Sequence, residues 1–244
     1  MTRKTQELKV LMSIGGPSVG KGLLGARLEG KYGATLFKIT VGDLVRQRRK
    51  NDEAFNAEFG PLVDAGELLD DDIINPMVEA EFYRGLGLQH NFLYLDGWHR
   101  KAGQVEKAVE LGCMMSENTI CLDLIASREI QRTRNLDRMK RQPGGFRADD
   151  ANTAIFEHRC KLFDDHHDEV VNAIQFAGVR IVNIDANQSL DLMVEEAMIQ
   201  AQRLKSFGSP PGWQFTPPAG YNPQPAGHGV YGASPALIRL TKSA

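Results

Sequence analysis

The residues with the clearest chemical purpose are Gly15-Gly16-Pro17-Ser18-Val19-Gly20-Lys21-Gly22. They fit the pattern G-x-x-x-x-G-K, with Gly22 where serine or threonine usually follows the lysine. A loop of this kind handles phosphate. Its glycines let backbone N–H groups close around phosphate oxygens, and the helix it opens turns its positive dipole end toward them. Lys21 adds a point charge for the outer phosphates. Taken alone the pattern is a structural turn as readily as a binding loop. The short apolar run at residues 10–14 directly before it decides for binding. A second feature is basic: Arg128, Arg132, Arg134, Arg138, Arg141 and Arg147 crowd one stretch of a slightly acidic chain. By itself this is a solvated helix face. Beside a phosphate loop it suits charge neutralisation during phosphoryl transfer, because the planar arginine fork binds phosphate oxygens two at a time. His158, Asp164, Asp165, His166, His167 and Asp168 suggest a metal, but they lie on a long polar helical stretch and read as a solvated face.

The elements that must position these residues alternate. Short apolar runs at 10–14, 35–40, 92–95, 119–124 and 179–184 read as strands. Residues 21–30, the segment after Gly42, and residues 73–82, 104–111, 127–139, 152–176 and 190–204 read as helices. Asp70-Asp71-Asp72 precedes one of them, where acidic groups meet unpaired amides and the positive dipole end. Gln142-Pro143-Gly144-Gly145 breaks the pattern. Five strands separated by helices predict an α/β fold with a parallel sheet covered on both faces. Ligands in such sheets bind beyond the C-terminal strand ends, and the candidate residues follow the strands.

The chain has 244 residues and 42% hydrophobic content, enough for one substantial core. Its 29 basic and 31 acidic residues leave a net charge of −2, so no polyanion-binding surface and no nucleic-acid partner are expected. Cys113, Cys121 and Cys160 are odd in number and match no zinc or redox spacing, which reads as reduced thiols in a cytoplasmic protein. The N-terminal apolar run is too short for a membrane span, and no signal peptide is visible. A monomer without membrane contact is the expectation. Residues 207–235 differ from the rest: they hold seven of the eleven prolines and no Lys, Arg, Asp or Glu. They cannot continue the alternation and read as an extended or disordered tail, 207–244. Phe207, Trp213, Phe215, Tyr221 and Tyr231 would let the tail serve instead as a docking segment for an unknown partner.

Five segments, in order, carry a resemblance. The loop Gly15–Gly22 is one. Ile39-Thr40-Val41-Gly42-Asp43-Leu44-Val45-Arg46 is similar to I-S-T-G-D-L-L-R, and Gly66-Glu67-Leu68-Leu69-Asp70-Asp71 to G-x-L-V-x-D. Leu95-Asp96-Gly97-Trp98-His99-Arg100 with Gln104 is similar to D-G-F-P-R-x-x-x-Q. Arg147-Ala148-Asp149-Asp150 with Arg159 is similar to R-x-D-D and a following helical arginine. Together, over roughly residues 9–204, these resemble the adenylate kinase family of nucleoside monophosphate kinases. The resemblance implies a P-loop kinase fold over residues 1–206, with a monophosphate-binding insertion at 42–73 and a short lid at 139–149. That lid has no cysteine, hence no zinc site. It implies that Gly15, Gly16, Pro17, Ser18, Val19, Gly20, Lys21 and Gly22, with Arg132, bind ATP. It implies AMP binding by Thr40, Val41, Arg46, Leu69, Gly97, Arg100, Gln104, Arg147 and Arg159. Lys21, Asp96, Arg100, Arg138, Arg147 and Arg159 would be catalytic. Asp96 would orient the Mg²⁺ that arrives with ATP, without a direct protein metal site. The implied reaction is ATP + AMP = 2 ADP. A UMP/CMP-type kinase and a catalytically weakened nucleotide-binding regulator are the alternatives.

The chain also departs from the family pattern. Ser18 replaces a glycine, which crowds the loop or demands an unusual backbone angle. Leu23 and Val41 replace threonines, Trp98 a phenylalanine and His99 a proline. All five are supporting residues, while Lys21, Arg46, Asp96, Arg100, Arg147 and Arg159 are present. Clustered arginines without phosphate repel one another, so their presence predicts an active enzyme with lowered or shifted activity.

Overall fold

Apolar runs become strands where helices cover both of their faces. In the computed structural model, which describes residues 8–86, 90, 92–114, 118–141, 152–202, 213–214 and 241–242, five such runs form one sheet. They are β1 (Lys9–Ile14), β2 (Leu36–Thr40), β3 (Phe92–Asp96), β4 (Thr119–Ile125) and β5 (Arg180–Asp185). All neighbours are parallel, in the order β2-β3-β1-β4-β5. The helices are α1 (Lys21–Tyr32), α2 (Val41–Asn51), α3 (Glu53–Ala65), α4 (Asp71–Leu86), α5 (Ala102–Glu110), α6 (Arg128–Arg141), α7 (Thr153–Phe176) and α8 (Leu190–Gln202). Outside α2 and α3, each strand and helix boundary lies within a few residues of the sequence expectation.

Alternation along β1 splits the core in two. Val10 and Met12 join Leu93, Leu95, Val78, Phe82, Val105, Val170 and Ile174 on one face. Leu11 turns to the other face with Leu24, Leu28, Tyr94, Leu122, Met193 and Ala197. Both clusters are buried, which is why the strands read as continuous apolar runs.

The strand order creates the site. From β1 the chain crosses to β2 on one side of the sheet, whereas from β3 it crosses to β4 on the other. The crevice at this switch point lies between the C-terminal ends of β1 and β3. Register makes those ends level: Ser13 and Thr40 both pair with Asp96, and Ile14 pairs with Asp123.

The sequence reading takes the insertion at 42–73 as helical without resolving its elements, and residues 53–65, with Gly60-Pro61, fall inside it. The structure runs α3 straight through that pair. Asp52 caps its start by accepting the Phe55 N–H at 3.0 Å, and Gly66 ends it at φ 83°. Among the described residues no helix is long and apolar enough to cross a membrane. Cys113, Cys121 and Cys160 are free and buried, and burial pushes Cys113 up to about 12. Trp213–Gln214 and Thr241–Lys242 form a separate antiparallel pair. The rest of the tail expectation, and residues 142–149 of the lid with Arg147, lie outside the described residues.

Candidate active site

The loop between β1 and α1 has little freedom. A Cβ on Gly15, at φ 138°, would stand 2.7 Å from the Leu124 carbonyl oxygen, so no side chain fits. Gly20, at φ 113°, turns the chain into α1. Lys21 then folds back, and its Nζ donates to the carbonyl oxygens of Gly15 (2.5 Å) and Gly16 (2.8 Å). Burial is the largest influence on this ammonium and lowers its pKa from 10.5 to about 8. Arg100 and Arg159 push the same way, while Asp96 and Asp123 oppose them. Four charged groups from β3, its following loop, β4 and α7 therefore converge on Lys21.

Ser18 adopts φ 60°, the left-handed region, and is the one non-glycine residue among those described with a positive φ. Such a conformation costs about 1–3 kcal/mol. Contacts with α6 compensate. The Ser18 hydroxyl donates to Asn135 Oδ1 (3.3 Å) and accepts from Arg138 Nη2 (3.2 Å), and the same Nη2 donates to Asn135 Oδ1 (2.9 Å). One turn earlier, Arg134 donates to the carbonyls of Val19 (2.8 Å) and Gln188 (3.3 Å).

In front of the loop opens a cleft of ≈ 980 Å³. On the loop side it is lined by Pro17, Ser18, Val19, Gly20, Lys21 and Gly22, with Arg138 from α6 and Arg159 from α7. On the far side stand Thr40, Val41, Arg46, Leu69, Asp96, Gly97, Arg100 and Gln104. Gly15 and Gly16 sit behind this wall and serve through their carbonyls. Arg46 is paired with Asp43 on its own helix. Arg100 Nε donates to the Gly97 carbonyl (3.1 Å) across a turn that Gly97 permits at φ 72°. Gly66 lets the Arg159 stem pass, since a Cβ there would meet Arg159 Cγ at 2.8 Å. Gln104 is buried, and its carbonyl accepts the N–H groups of Arg100 (2.8 Å) and Lys101 (3.3 Å). Its amide donates to Asp71 (2.8 Å), so this side chain caps α5 as well as lining the cleft.

Two sequence readings are corrected. Arg132, expected at ATP, points outward from α6 and pairs with Glu157 at 2.7 Å, away from the cleft. Arg134, two positions on, lines the cleft instead. The sequence register slid because five arginines share one helix, and a two-residue shift turns a side chain by more than half a turn. His167, read as part of a solvated face, is half-buried and bonds Asp123 at the end of β4 (2.9 Å). That partner holds its imidazole above the usual pKa. Asp123 is a buried charge that the apolar pattern of β4 concealed. Asp164, Asp165 and Asp168 are exposed and fit the solvated reading, whereas His158 bonds Glu67 (2.8 Å) and His166 borders the side chamber next to Lys21.

The departures also find places. Val41 lines the cleft at the start of α2, and Leu23, 61% exposed, lines it beside the loop. His99 is buried against Trp98, and neither ring nitrogen has a hydrogen-bond partner. Burial pushes its pKa from 6.5 down to about 3, so it is neutral. It borders a side chamber of ≈ 60 Å³ that shares Lys21, Arg100 and Arg159 with the cleft.

A parallel sheet, a glycine loop and lysine after its first strand, and a basic cleft at the switch point define a P-loop nucleotide kinase fold. Comparison with known proteins agrees: a model of the adenylate kinase family matches residues 13–179. An adenylate kinase from Micrococcus luteus is 30% identical over 192 residues, covering 78% of this chain and 89% of that protein. One from Kocuria rhizophila is 30% identical over 197 residues (79% and 98%), and one from Mycobacterium sp. 29% over 188 residues (77% and 96%). The chain belongs to the adenylate kinase family. It is a phosphotransferase of the nucleoside monophosphate kinase type, dependent on ATP.

Proposed function

We propose that the chain transfers the terminal phosphoryl group of ATP to AMP, giving two ADP. The observation that carries this is the convergence on Lys21. Arg159 on the same side and Arg100 from the opposite wall lie close enough to the donor-phosphate lysine to add to the lowering of its pKa by burial, with Asp96 beside them. Two anionic phosphate groups brought together there would relieve that repulsion. An oxygen of the acceptor phosphate attacks the γ-phosphorus, and the bond to the β,γ-bridging oxygen breaks. ADP leaves with that electron pair.

The residues divide the work as follows. Backbone N–H groups of Ser18–Gly22 cradle the donor phosphates, and Lys21 exchanges its two carbonyl partners, Gly15 and Gly16, for phosphate oxygens. Arg46 and Arg100 hold the acceptor phosphate, and Arg138 and Arg159 neutralise the transferring group. Arg147 joins them in this reading, from outside the described residues. Arg134 takes the donor-side place first assigned to Arg132, its guanidinium plane fixed by two carbonyls and available to a base. Asp96, a buried carboxylate at a strand end near Gly22, has the hard oxygen donors that suit Mg²⁺. That ion, arriving with ATP, supplies charge neutralisation at the phosphates. Residues 42–73 act as the acceptor cover, 139–149 as a short lid, and 207–244 as a tail outside the catalytic body, in a cytoplasmic monomer.

The choice of AMP rests on two supports. The relatives are named adenylate kinases. Gln104 has its carbonyl occupied and keeps one amide hydrogen to donate toward the cleft. A lone donor suits the unprotonated ring nitrogen of adenine or cytosine and opposes the N–H of uracil or guanine. Coupled assays of ADP formation with ATP, Mg²⁺ and AMP, CMP, UMP or GMP test this. AMP is expected to be fastest, with UMP and GMP poor. CMP or UMP turning over faster than AMP overturns the acceptor assignment and leaves the kinase. Nucleotide binding with no turnover on any acceptor makes the chain a regulator.

A further inference from the structure

We infer that Ser18 is a positioning residue that holds Arg138 against the phosphate loop, tying α6 to the donor site before nucleotide arrives. This rests on the proposed placement of Arg138 at the transferring phosphoryl group. Three observations carry it. First, Ser18 occupies a left-handed backbone conformation at φ 60°, which glycine adopts without penalty and serine does not. A hydroxyl placed where the backbone disfavours any side chain needs a compensating contact. Second, that contact is specific: Arg138 Nη2 donates to Ser18 Oγ at 3.2 Å and to Asn135 Oδ1 at 2.9 Å, while Ser18 Oγ donates to Asn135 Oδ1 at 3.3 Å. The three polar groups close a triangle, and Asn135, buried at 3% exposure, anchors it within α6. Third, Ser18 and Arg138 both line the cleft, so the triangle stands at the donor site.

A long arginine at the root of a lid has many rotamers. Fixing its guanidinium on the loop that will hold the phosphates removes much of that freedom in advance. The neighbouring clasp of Arg134 on the Val19 carbonyl keeps the helix in register with the loop. Only the Ser18 contact depends on a side chain of the loop. A glycine at this position would remove the loop hydroxyl from Arg138 and keep its bond to Asn135.

The test measures kcat, KM for each substrate and thermal stability for Ser18→Ala, Ser18→Gly, Arg138→Ala and the Ser18→Ala/Arg138→Ala pair. Ser18→Ala is expected to lower kcat about tenfold, with KM for the acceptor unchanged. Ser18→Gly removes the same hydroxyl and the backbone strain, so its kcat falls alike while its Tm rises. Activity and stability then move in opposite directions, which a purely structural role would not produce. Arg138→Ala is expected to cost about 10²–10³ in kcat, and the pair no more than Arg138→Ala alone, because the hydroxyl acts through the arginine. Unchanged kcat in Ser18→Ala, a higher kcat there, or a further tenfold loss in the pair overturns the inference. If Arg138→Ala itself keeps near-normal kcat, the placement of Arg138 is what fails.

Discussion

The lowered pKa of Lys21 makes donor binding depend on pH in a window where few other groups titrate. Burial brings the ammonium from 10.5 to about 8 in the nucleotide-free protein. At pH 7 it is charged. At pH 9, one unit above its pKa, only about one molecule in ten retains the proton. If the phosphates require that charge, the apparent Kd for ATP weakens about tenfold between pH 7 and pH 9. Bound phosphate raises the Lys21 pKa again, so binding at pH 9 takes up about one proton. Isothermal titration with a non-hydrolysable ATP analogue and Mg²⁺, from pH 6.5 to 9.5 in buffers of different ionisation enthalpy, reads both quantities. Lys21→Met is expected to bind weakly and without this slope. The linked stability has a definite sign. The folded pKa lies below the unfolded one, so between pH 8 and 10.5 the unfolded chain holds a proton that the folded chain has lost. Stability of the free protein therefore rises with pH across that window, by at most roughly 3 kcal/mol. Affinity that stays flat from pH 7 to 9.5, or a Lys21→Met variant with the wild-type slope, refutes the reasoning.

Arg134→Ala is expected to raise KM for ATP about tenfold, because a fixed guanidinium plane leaves the cleft, whereas Arg132→Ala leaves both substrates' KM unchanged. Steady-state kinetics on the two variants check this, and the reverse ranking restores the original register. His99, held near 3 by burial, is neutral when folded but takes a proton below about pH 6.5 when unfolded. It therefore removes stability as pH falls, by about 1.4 kcal/mol per unit below pH 6.5. Urea unfolding at pH 7 and pH 5 should show His99→Leu losing less stability than the wild type, and equal losses count against it. Deleting residues 207–244 is expected to leave kcat and Tm near wild type, since every cleft residue among those described precedes the tail; a marked fall in Tm shows that the tail packs on the body.

Sheet, loop and most of the cleft could be read from the chain because their signals are local. An apolar run followed by glycines and a lysine specifies β1, the loop and α1 together, and spacing to Asp96 and Arg100 follows from strand order. The two corrected readings share a cause: each depends on a partner distant in sequence. Arg132 and Arg134 differ only in which side of α6 meets the loop, and a helix of charged residues gives no apolar stripe to orient it. His167 looked solvated until β4 placed Asp123 beneath it, 44 residues away in sequence. Gln104 is legible as a polar residue after a strand, but its duty as a cap for α5 follows from the turn at Arg100 and Lys101. The insertion is legible as helical, but the start of α3 follows from its Asp52 cap and from the packing of Phe55 and Phe59 against the core.

The departures from the family pattern differ in what they touch, and that difference locates the altered behaviour. Leu23, though largely exposed, lines the cleft beside the loop, and so sets an apolar side chain there in place of a hydroxyl. Val41 is buried on the acceptor wall, where a lost hydroxyl subtracts one hydrogen bond from whichever monophosphate binds. His99 puts two unpartnered ring nitrogens behind Arg100, at a standing cost to stability. Ser18 alone among them forms a new link between loop and α6. The charged residues of the cleft still meet around Lys21, so the electrostatics of transfer are retained. Changes in this enzyme should accordingly appear in acceptor affinity, through Val41 and His99, and in the ordering of α6 over the donor, through Ser18. Phosphate binding by the loop itself should stay close to the family's behaviour, because its glycines and Lys21 keep their geometry.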